Sequence, residues 1–484
     1  MNYKMMSRFL SYICAAEAVF MLPALALSIW DGKINAILGF GVAIAVALAL
    51  YLLLRFLSRN GVDRLSAKEG FVCTAASWIL MSLIGTLPFV VSGEIPHFVD
   101  ALFEIVSGFT TTGASIVPNV EVLSRGILYW RSFSHWVGGM GVLVFLLALV
   151  PGGKKSGGFT MHLFRAESPG PEVGKLVPKL RQTALYLYGT YIVLSILNFA
   201  FLMLGDMNWF EALCTMFGTA GTGGFGVKAD SLGSYSPYIQ NVTTVFMLLF
   251  GVNFSCYYLI ILRQFRSVIK DEELRLYFCI VAVSIALITW NIVDMYDTLG
   301  EGLRHAAFQV ASIISTTGFS TVDFDMWPAF SKGILTVLMI TGACAGSTCG
   351  GMKCARILLL FKGLRRNIRQ MVRPGRVEAV RVNGRTVDEK VMSSVNAYLS
   401  AYMLVLFLSF VVISFDGFSL GTNFSAVLAC FNNIGPGFET VGPAMHYGNY
   451  GIVSKLVLTF DMLAGRLEIF PLLLFFAPGS WKKN

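Results

Sequence analysis

Thr110-Thr111-Thr112-Gly113-Ala114-Ser115 follows a short apolar run, and three other stretches of the chain read like it: Gly221-Thr222-Gly223-Gly224-Phe225-Gly226, Ser315-Thr316-Thr317-Gly318-Phe319-Ser320 and Asn432-Asn433-Ile434-Gly435-Pro436-Gly437. Aligning Gly113, Gly223, Gly318 and Gly435 spaces them by 110, 95 and 117 residues. A near-regular period in an apolar chain marks an internal repeat. Four Gly-bearing loops around one axis can ring a pore with backbone carbonyls, which take the place of a cation's water. The spacing predicts an ion-conducting protein.

Composition places the chain in a bilayer. Of its 484 residues 55% are hydrophobic and 13% charged, against about 25% charged in soluble proteins. Runs of spanning length lie at 9–30, 35–57, 71–91, 129–150, 183–205, 239–262, 276–293, a broken stretch 329–363, 395–415 and 452–477. The first follows Lys4 and Arg8 and is longer than a signal core, so it reads as a retained helix.

The basic residues set the orientation. Segments 1–8, 55–69, 152–182, 263–275, 362–390 and 480–484 hold 27 of the 37 Lys and Arg, and taken as cytoplasmic they put both termini inside. Lys33, Arg125, Arg131, Lys228, Arg304 and Lys332 fall outside on this reading. The net charge of +9 then reports topology and contact with anionic membrane lipid, not nucleic-acid binding. The nine cysteines form no CxxC pair and read as small core residues.

The fold class expected is an all-α polytopic membrane protein. Two leading helices (1–69) precede four repeats of outer helix, pore helix and inner helix around a central pore, at 70–182, 183–275, 276–390 and 391–484. The short segments 97–110, 208–220, 302–315 and 420–433 suit re-entrant pore helices better than full spans. No segment between spans is long enough for a soluble domain, so a regulatory module is expected from another chain.

In each loop the glycine frees the backbone. The carbonyls expected to face the ion come from Thr111-Thr112, Gly221-Thr222, Thr316-Thr317 and Asn433-Ile434. Each pore helix would add its negative C-terminal end. The second loop also spells G-x-G-x-x-G, but the strand, helix and acidic residue of a dinucleotide site are missing around it.

A second feature lies between Leu338 and Ile357, where Gly342, Gly346, Gly350, Gly351 and Lys353 sit among small and polar residues. One reading is a flexible loop that obstructs the pore below the filter. The other is helix packing, since Gly342, Gly346 and Gly350 form a tandem GxxxG pattern. Arg466, within the last apolar segment, reads either as an ion pair with Asp461 or Glu468 or as a charge near the pore. Asp323 and Glu439 read as mouth charges or solvated loop residues. Glu17 and Glu104 have no assigned role. The five histidines lack metal-ligand spacing, and His135 reads as packing.

With these residues in hand, the chain resembles the Trk/Ktr/HKT superfamily of cation transporters, and within it the bacterial TrkH branch. The resemblance rests on Ser107-Gly108-Phe109-Thr110-Thr111-Thr112-Gly113-Ala114, Ser315-Thr316-Thr317-Gly318-Phe319, Asn432-Asn433-Ile434-Gly435-Pro436-Gly437 and Gly465-Arg466-Leu467-Glu468-Ile469-Phe470. It implies a potassium-uptake pore in a bacterial inner membrane, with K+ as the transported ion and no organic cofactor. It implies a homodimer docked on a cytosolic ring of nucleotide-binding regulatory subunits of the TrkA type. It maps a gating loop onto Gly342 to Gly351 and a conserved inner-helix arginine onto Arg466. Glycine in all four loops resembles the potassium-selective branch. A symporter coupling potassium to sodium or protons is the alternative within transport. An enzyme would need convergent His, Asp or Ser groups, which the sequence lacks.

Overall fold

The computed structural model describes residues 2–58, 67–141, 180–375 and 378–481. Six of the described helices are long and apolar enough to cross a membrane: Tyr3–Trp30, Ile34–Leu57, Lys68–Ser92, Ala184–Met203, Glu272–Met295 and Glu389–Asp416. The first two are the leading pair. Ile34–Leu57 buries only 22% of its apolar stretch, whereas Lys68–Ser92 buries 61%. The former therefore takes the rim and the latter lies between the leading pair and the first pore helix.

The other four long helices are the outer helices of four repeats. Each is followed by a short pore helix: Phe98–Phe109, Trp209–Gly221, Leu299–Ile314 and Leu420–Phe431. Side-chain oxygens start three of these. Asn208 accepts from the amides of Phe210 and Glu211, Thr298 from Glu301 and Ser419 from Thr422, so the exposed first-turn amides are satisfied. The protein is an all-α, multi-pass membrane protein with two leading helices and four such repeats around a central pore.

The inner helices are where the structure departs from the continuous spans expected. The run 239–262 bends by 88° between Pro237–Phe250 and Phe254–Ile261. The cause is tertiary: the Gly251 carbonyl accepts from the Cys344 amide and the Phe254 amide donates to Gly346, so the break is paired with another segment. The run 452–477 divides into Ile452–Arg466 and Phe470–Phe476, with Glu468 and Ile469 at φ of 57° and 66°. The run 329–363, expected to be broken, is so: one helix ends at Thr341 and the next begins at Cys354. Of 129–150 the described part is helical from Arg125 to Gly139. The remainder, with 152–179 of the basic segment 152–182, lies outside the described residues.

Two local features go beyond what the sequence showed. Arg131, read as lying on the outer side, is not a solvated charge. It is 1% exposed and pairs at 2.6 Å with Glu104, itself fully buried on the first pore helix. Glu104 also accepts from the Ser115 hydroxyl and the Ile116 amide. The pair fastens the pore helix, the loop after it and the inner helix together, and losing one partner of such a pair costs about 3–5 kcal/mol. Within the basic segment 362–390, a two-residue hairpin pairs Arg381–Val382 with Arg385–Thr386. Its turn, Asn383-Gly384, has φ of 51° and 77°, as a tight hairpin requires. Val380 and Val382 pack there with Leu359, Met392 and Val395.

Candidate functional site

The four Gly-bearing loops come together at the C-terminal ends of the pore helices. Their amide bonding is the same in each. The amides of Thr111, Thr222, Thr316 and Asn433 reach back three residues, to Gly108, Thr219, Ile313 and Cys430. The next amides, of Thr112, Gly223, Thr317 and Ile434, reach back five, to Ser107, Gly218, Ser312 and Ala429. The repeats are thereby aligned by geometry. This corrects the register of the second loop by one residue. The left-handed glycines are Gly113, Gly224, Gly318 and Gly435, at φ of 79°, 79°, 82° and 95°. Gly224 therefore holds the position assigned to Gly223, and Gly223 that assigned to Thr222. Gly221 ends the second pore helix, where Thr110, Ser315 and Asn432 stand in the others.

These glycines close a ring. A Cβ on Gly113 would overlap the carbonyl oxygen of Gly223, one on Gly224 that of Thr317, one on Gly318 that of Ile434, and one on Gly435 that of Thr112. Each repeat thus backs onto the next, in order, and the fourth returns to the first. Four equivalent carbonyls stand in the ring, each against a glycine with no side chain to obstruct it.

Two residues before each glycine, Thr111, Thr222, Thr316 and Asn433 also take left-handed φ, between 54° and 56°. For β-branched threonine this is an outlier that persists only where the surroundings enforce it. A sign change in φ at every second residue turns successive carbonyls toward one side, which an extended strand does not do. The loops are buried except at Gly113, Ser115, Gly224, Gly226, Gly318 and Pro436, which are partly exposed. The Thr110 and Thr112 hydroxyls lie 2.8 Å apart, those of Ser315 and Thr317 2.7 Å apart, and Asn433 donates to the Thr112 hydroxyl at 3.0 Å.

Residues 342–353 pass directly against this ring without helix or strand. Gly342, Gly346 and Gly350 therefore share no helical face, which removes the packing alternative. Gly342, Gly346, Gly351 and Lys353 have φ of 63°, 69°, 74° and 66°. The Gly350 amide donates to the Thr316 hydroxyl of the third loop at 2.7 Å, and a Cβ on Gly350 would meet Asn432 and Asn433 of the fourth. Cys344 and Gly346 bond the broken second inner helix. One carboxylate oxygen of Glu273, at the start of the third outer helix, accepts from Ala345 at 2.6 Å and Ala355 at 3.0 Å. It holds both ends of the segment.

Arg466 donates to the Thr348 carbonyl at 2.8 Å, to Gly139 at 2.6 Å and to Gly138, and it reaches the Thr111 hydroxyl at 3.4 Å. Its charge sits on the negative end of the first inner helix and joins that helix to the segment. Glu468 pairs with Arg356 and Asp461 accepts from Ser409. Lys353 is buried and donates to the Cys349 carbonyl. A cavity of about 60 Å³, lined by Gly139, Gly346, Ser347, Lys353, Arg466 and Glu468 among others, has room for about two waters. At the loop ends, Asp323 caps the Asp325 amide. Hydroxyls of Ser419 and Thr422 hold the Glu439 carboxyl below the usual carboxylate range.

Sequence reasoning assigned no role to Gly224, Glu273 or Glu104, and took His135 for packing. The doubled Gly223-Gly224 was the available sign of the register. The three others depend on partners far away in the chain.

Residues 39–483 match the TrkH family, described as cation transport protein. The potassium uptake protein TrkH of Halomonas elongata is 34% identical, with each chain covered in full. TrkG of Escherichia coli, also a Trk system potassium uptake protein, is 35% identical over 88% of this chain and 87% of its own. The crystal structure of the potassium transporter TrkH from Vibrio parahaemolyticus superposes with a TM-score of 0.88 at 31% identity, both chains covered in full.

Proposed function

The chain belongs to the TrkH family of cation transport proteins, and from that premise we propose that it takes up potassium through the four-loop ring, which acts as its selectivity filter. The closed circle of glycines backed onto neighbouring carbonyls carries the reading. Carbonyls at Thr112, Gly223, Thr317 and Ile434, with those one residue earlier, replace the ion's hydration shell. The pore helices' C-terminal ends favour a cation there.

The segment 342–353 is the gate. It touches repeats two, three and four directly and repeat one through Arg466, so it lies across the axis. Opening requires it to leave, and its cation neighbours Arg466 and Lys353 oppose potassium while it stays.

Regulation comes from a cytosolic partner of the TrkA type, acting on a homodimer in a bacterial inner membrane with both termini cytoplasmic. The basic segment 362–390 is its docking face. Within it, Lys362, Arg366 and Arg369 are engaged by Glu272, Glu389 and Glu378. Exposed Arg365, Arg373 and Arg385 are therefore the residues to reverse, and co-purification with the partner should weaken.

Purified protein in liposomes tests the function. Potassium flux should track the potassium gradient alone and exceed sodium flux. Flux that requires a sodium or proton gradient would establish the symporter instead.

A further inference from the structure

The second loop has glycine where its counterparts carry Thr112, Thr317 and Ile434, and glycine again at 221 where two carry hydroxyls, Thr110 and Ser315. Loops one and three each hold a hydroxyl pair across these two positions. Loop two can hold none. The space is occupied from the neighbouring repeat. A Cβ on Gly223 would overlap the imidazole of His135, and one on Gly221 would overlap the His135 backbone.

His135 lies on the first inner helix, Arg125–Gly139, and is fully buried. Its Nδ1 is 2.7 Å from the carbonyl oxygen of Gly108, near the end of the first pore helix. The amide of Phe225, one residue past Gly224, donates to its Nε2 at 3.2 Å. A carbonyl only accepts and an amide N–H only donates, so the ring is the neutral tautomer with its proton on Nδ1. It packs on the Phe225 ring at a centroid distance of 4.3 Å, and that ring also takes the Arg131 guanidinium at 4.1 Å.

We propose that His135 is a specificity-determining positioning residue, which sets the Gly223 carbonyl by tying the second loop to the first pore helix. It supplies from outside the support that loops one and three draw from their own hydroxyls. The inference rests on the reading of the ring as a filter. It explains why the second loop departs from its three relatives in both glycines at once: the imidazole and its helix turn need both side chains gone.

Removing the ring leaves the Phe225 amide unpaired, takes the tie to the second loop from the Gly108 carbonyl, which keeps only the local Thr111 amide, and opens an empty space behind Gly223, so His135→Ala should lower the potassium-over-sodium permeability ratio roughly tenfold. Gly318→Ala, in a loop His135 does not touch, serves as the control. If Gly318→Ala lowers the ratio and His135→Ala keeps it at wild type, the role of His135 is overturned and the filter stands. If neither moves it, the filter reading falls and takes this inference with it. Should His135→Ala not fold, His135→Gln and His135→Met decide the matter. Glutamine offers a donor and an acceptor, methionine neither. A ratio near wild type for Gln and lowered for Met supports the assignment; equal ratios overturn it. Gly223→Thr should be as damaging as losing the ring, and adding His135→Ala to it should recover part of the ratio. A double variant no better than Gly223→Thr alone would count against the shared space.

Discussion

The ring and the segment beside it are both irregular backbone at the centre of a membrane protein, yet they are held in opposite ways. The ring is fixed by exclusion. Each left-handed glycine abuts a backbone carbonyl of the next repeat, so no loop can shift alone. The segment 342–353 is fixed by attachment, through hydrogen bonds to Glu273, Thr316, Arg466 and the broken second inner helix. Exclusion gives a geometry that cannot be adjusted, which discrimination between similar ions needs. Attachment gives a geometry that can be released, which opening needs. Segments drawn from the low-stability end of a structure are the ones that move.

The comparison breaks most severely if the ring tolerates a side chain. Gly113→Ala, Gly224→Ala and Gly318→Ala each force a Cβ into a backbone carbonyl and add about 1–2 kcal/mol for the left-handed residue. Potassium-over-sodium permeability ratios, taken from reversal potentials, should fall by about a hundredfold or conduction should be lost. Gly435→Ala should be milder, because its Cβ would lie 2.6 Å from the Thr112 oxygen, a smaller overlap than the 2.0–2.1 Å of the other three. Equal tolerance at all four would show that the carbonyls are not set by exclusion.

The next effect is on the segment. If the ring selects and the segment gates, as proposed, deleting Cys344 to Cys349 should raise potassium flux by roughly tenfold while the permeability ratio stays at wild type. A monodisperse protein with unchanged closed-state leak would remove the gate from residues 342–353.

This division was partly legible before any coordinates. The four loops and the small-residue stretch at 342–351 declare themselves because glycine is required by backbone geometry, which leaves its trace in the local sequence. The register of the second loop does not, since Gly223 and Gly224 both satisfy the pattern and only the amide bonding separates them. The bend at Gly251 to Asn253 is only faintly marked, for another reason. There is no proline, only Gly251 at the end of one helix and Asn253 capping the next, and the bend is fixed because Cys344 and Gly346, some ninety residues away, take its backbone groups. Glu273 reads as an ordinary first-turn acid, suited to the helix dipole, and its two amide partners lie 72 and 82 residues on. Arg131 reads only as a charge on the outer side, and its burial depends on Glu104, 27 residues away in the chain.

Glu273 sharpens the comparison at lower amplitude. Glu273→Ala frees both ends of the segment at once and should raise flux about fivefold, the equivalent of one net hydrogen bond of about 1 kcal/mol, with the permeability ratio unchanged. Glu273→Gln keeps an acceptor oxygen and should give a smaller rise. Measured in the same liposomes, a fall in flux for Glu273→Ala would mean that the carboxylate favours the open arrangement.

Thr316 is where the two regimes meet, and it offers the smallest and most discriminating effect. Its backbone is one of the left-handed positions of the ring, while its hydroxyl accepts the Gly350 amide at 2.7 Å. Thr316→Val keeps the β-branched shape and removes only that acceptor. If attachment and exclusion are separate, the backbone of the third loop stays where Gly318 and Ile434 hold it. Flux should then rise by about twofold to fivefold with no change in the permeability ratio. A ratio that fell together with the rise in flux would show that the segment also braces the ring, so that opening this pore would itself alter what it selects.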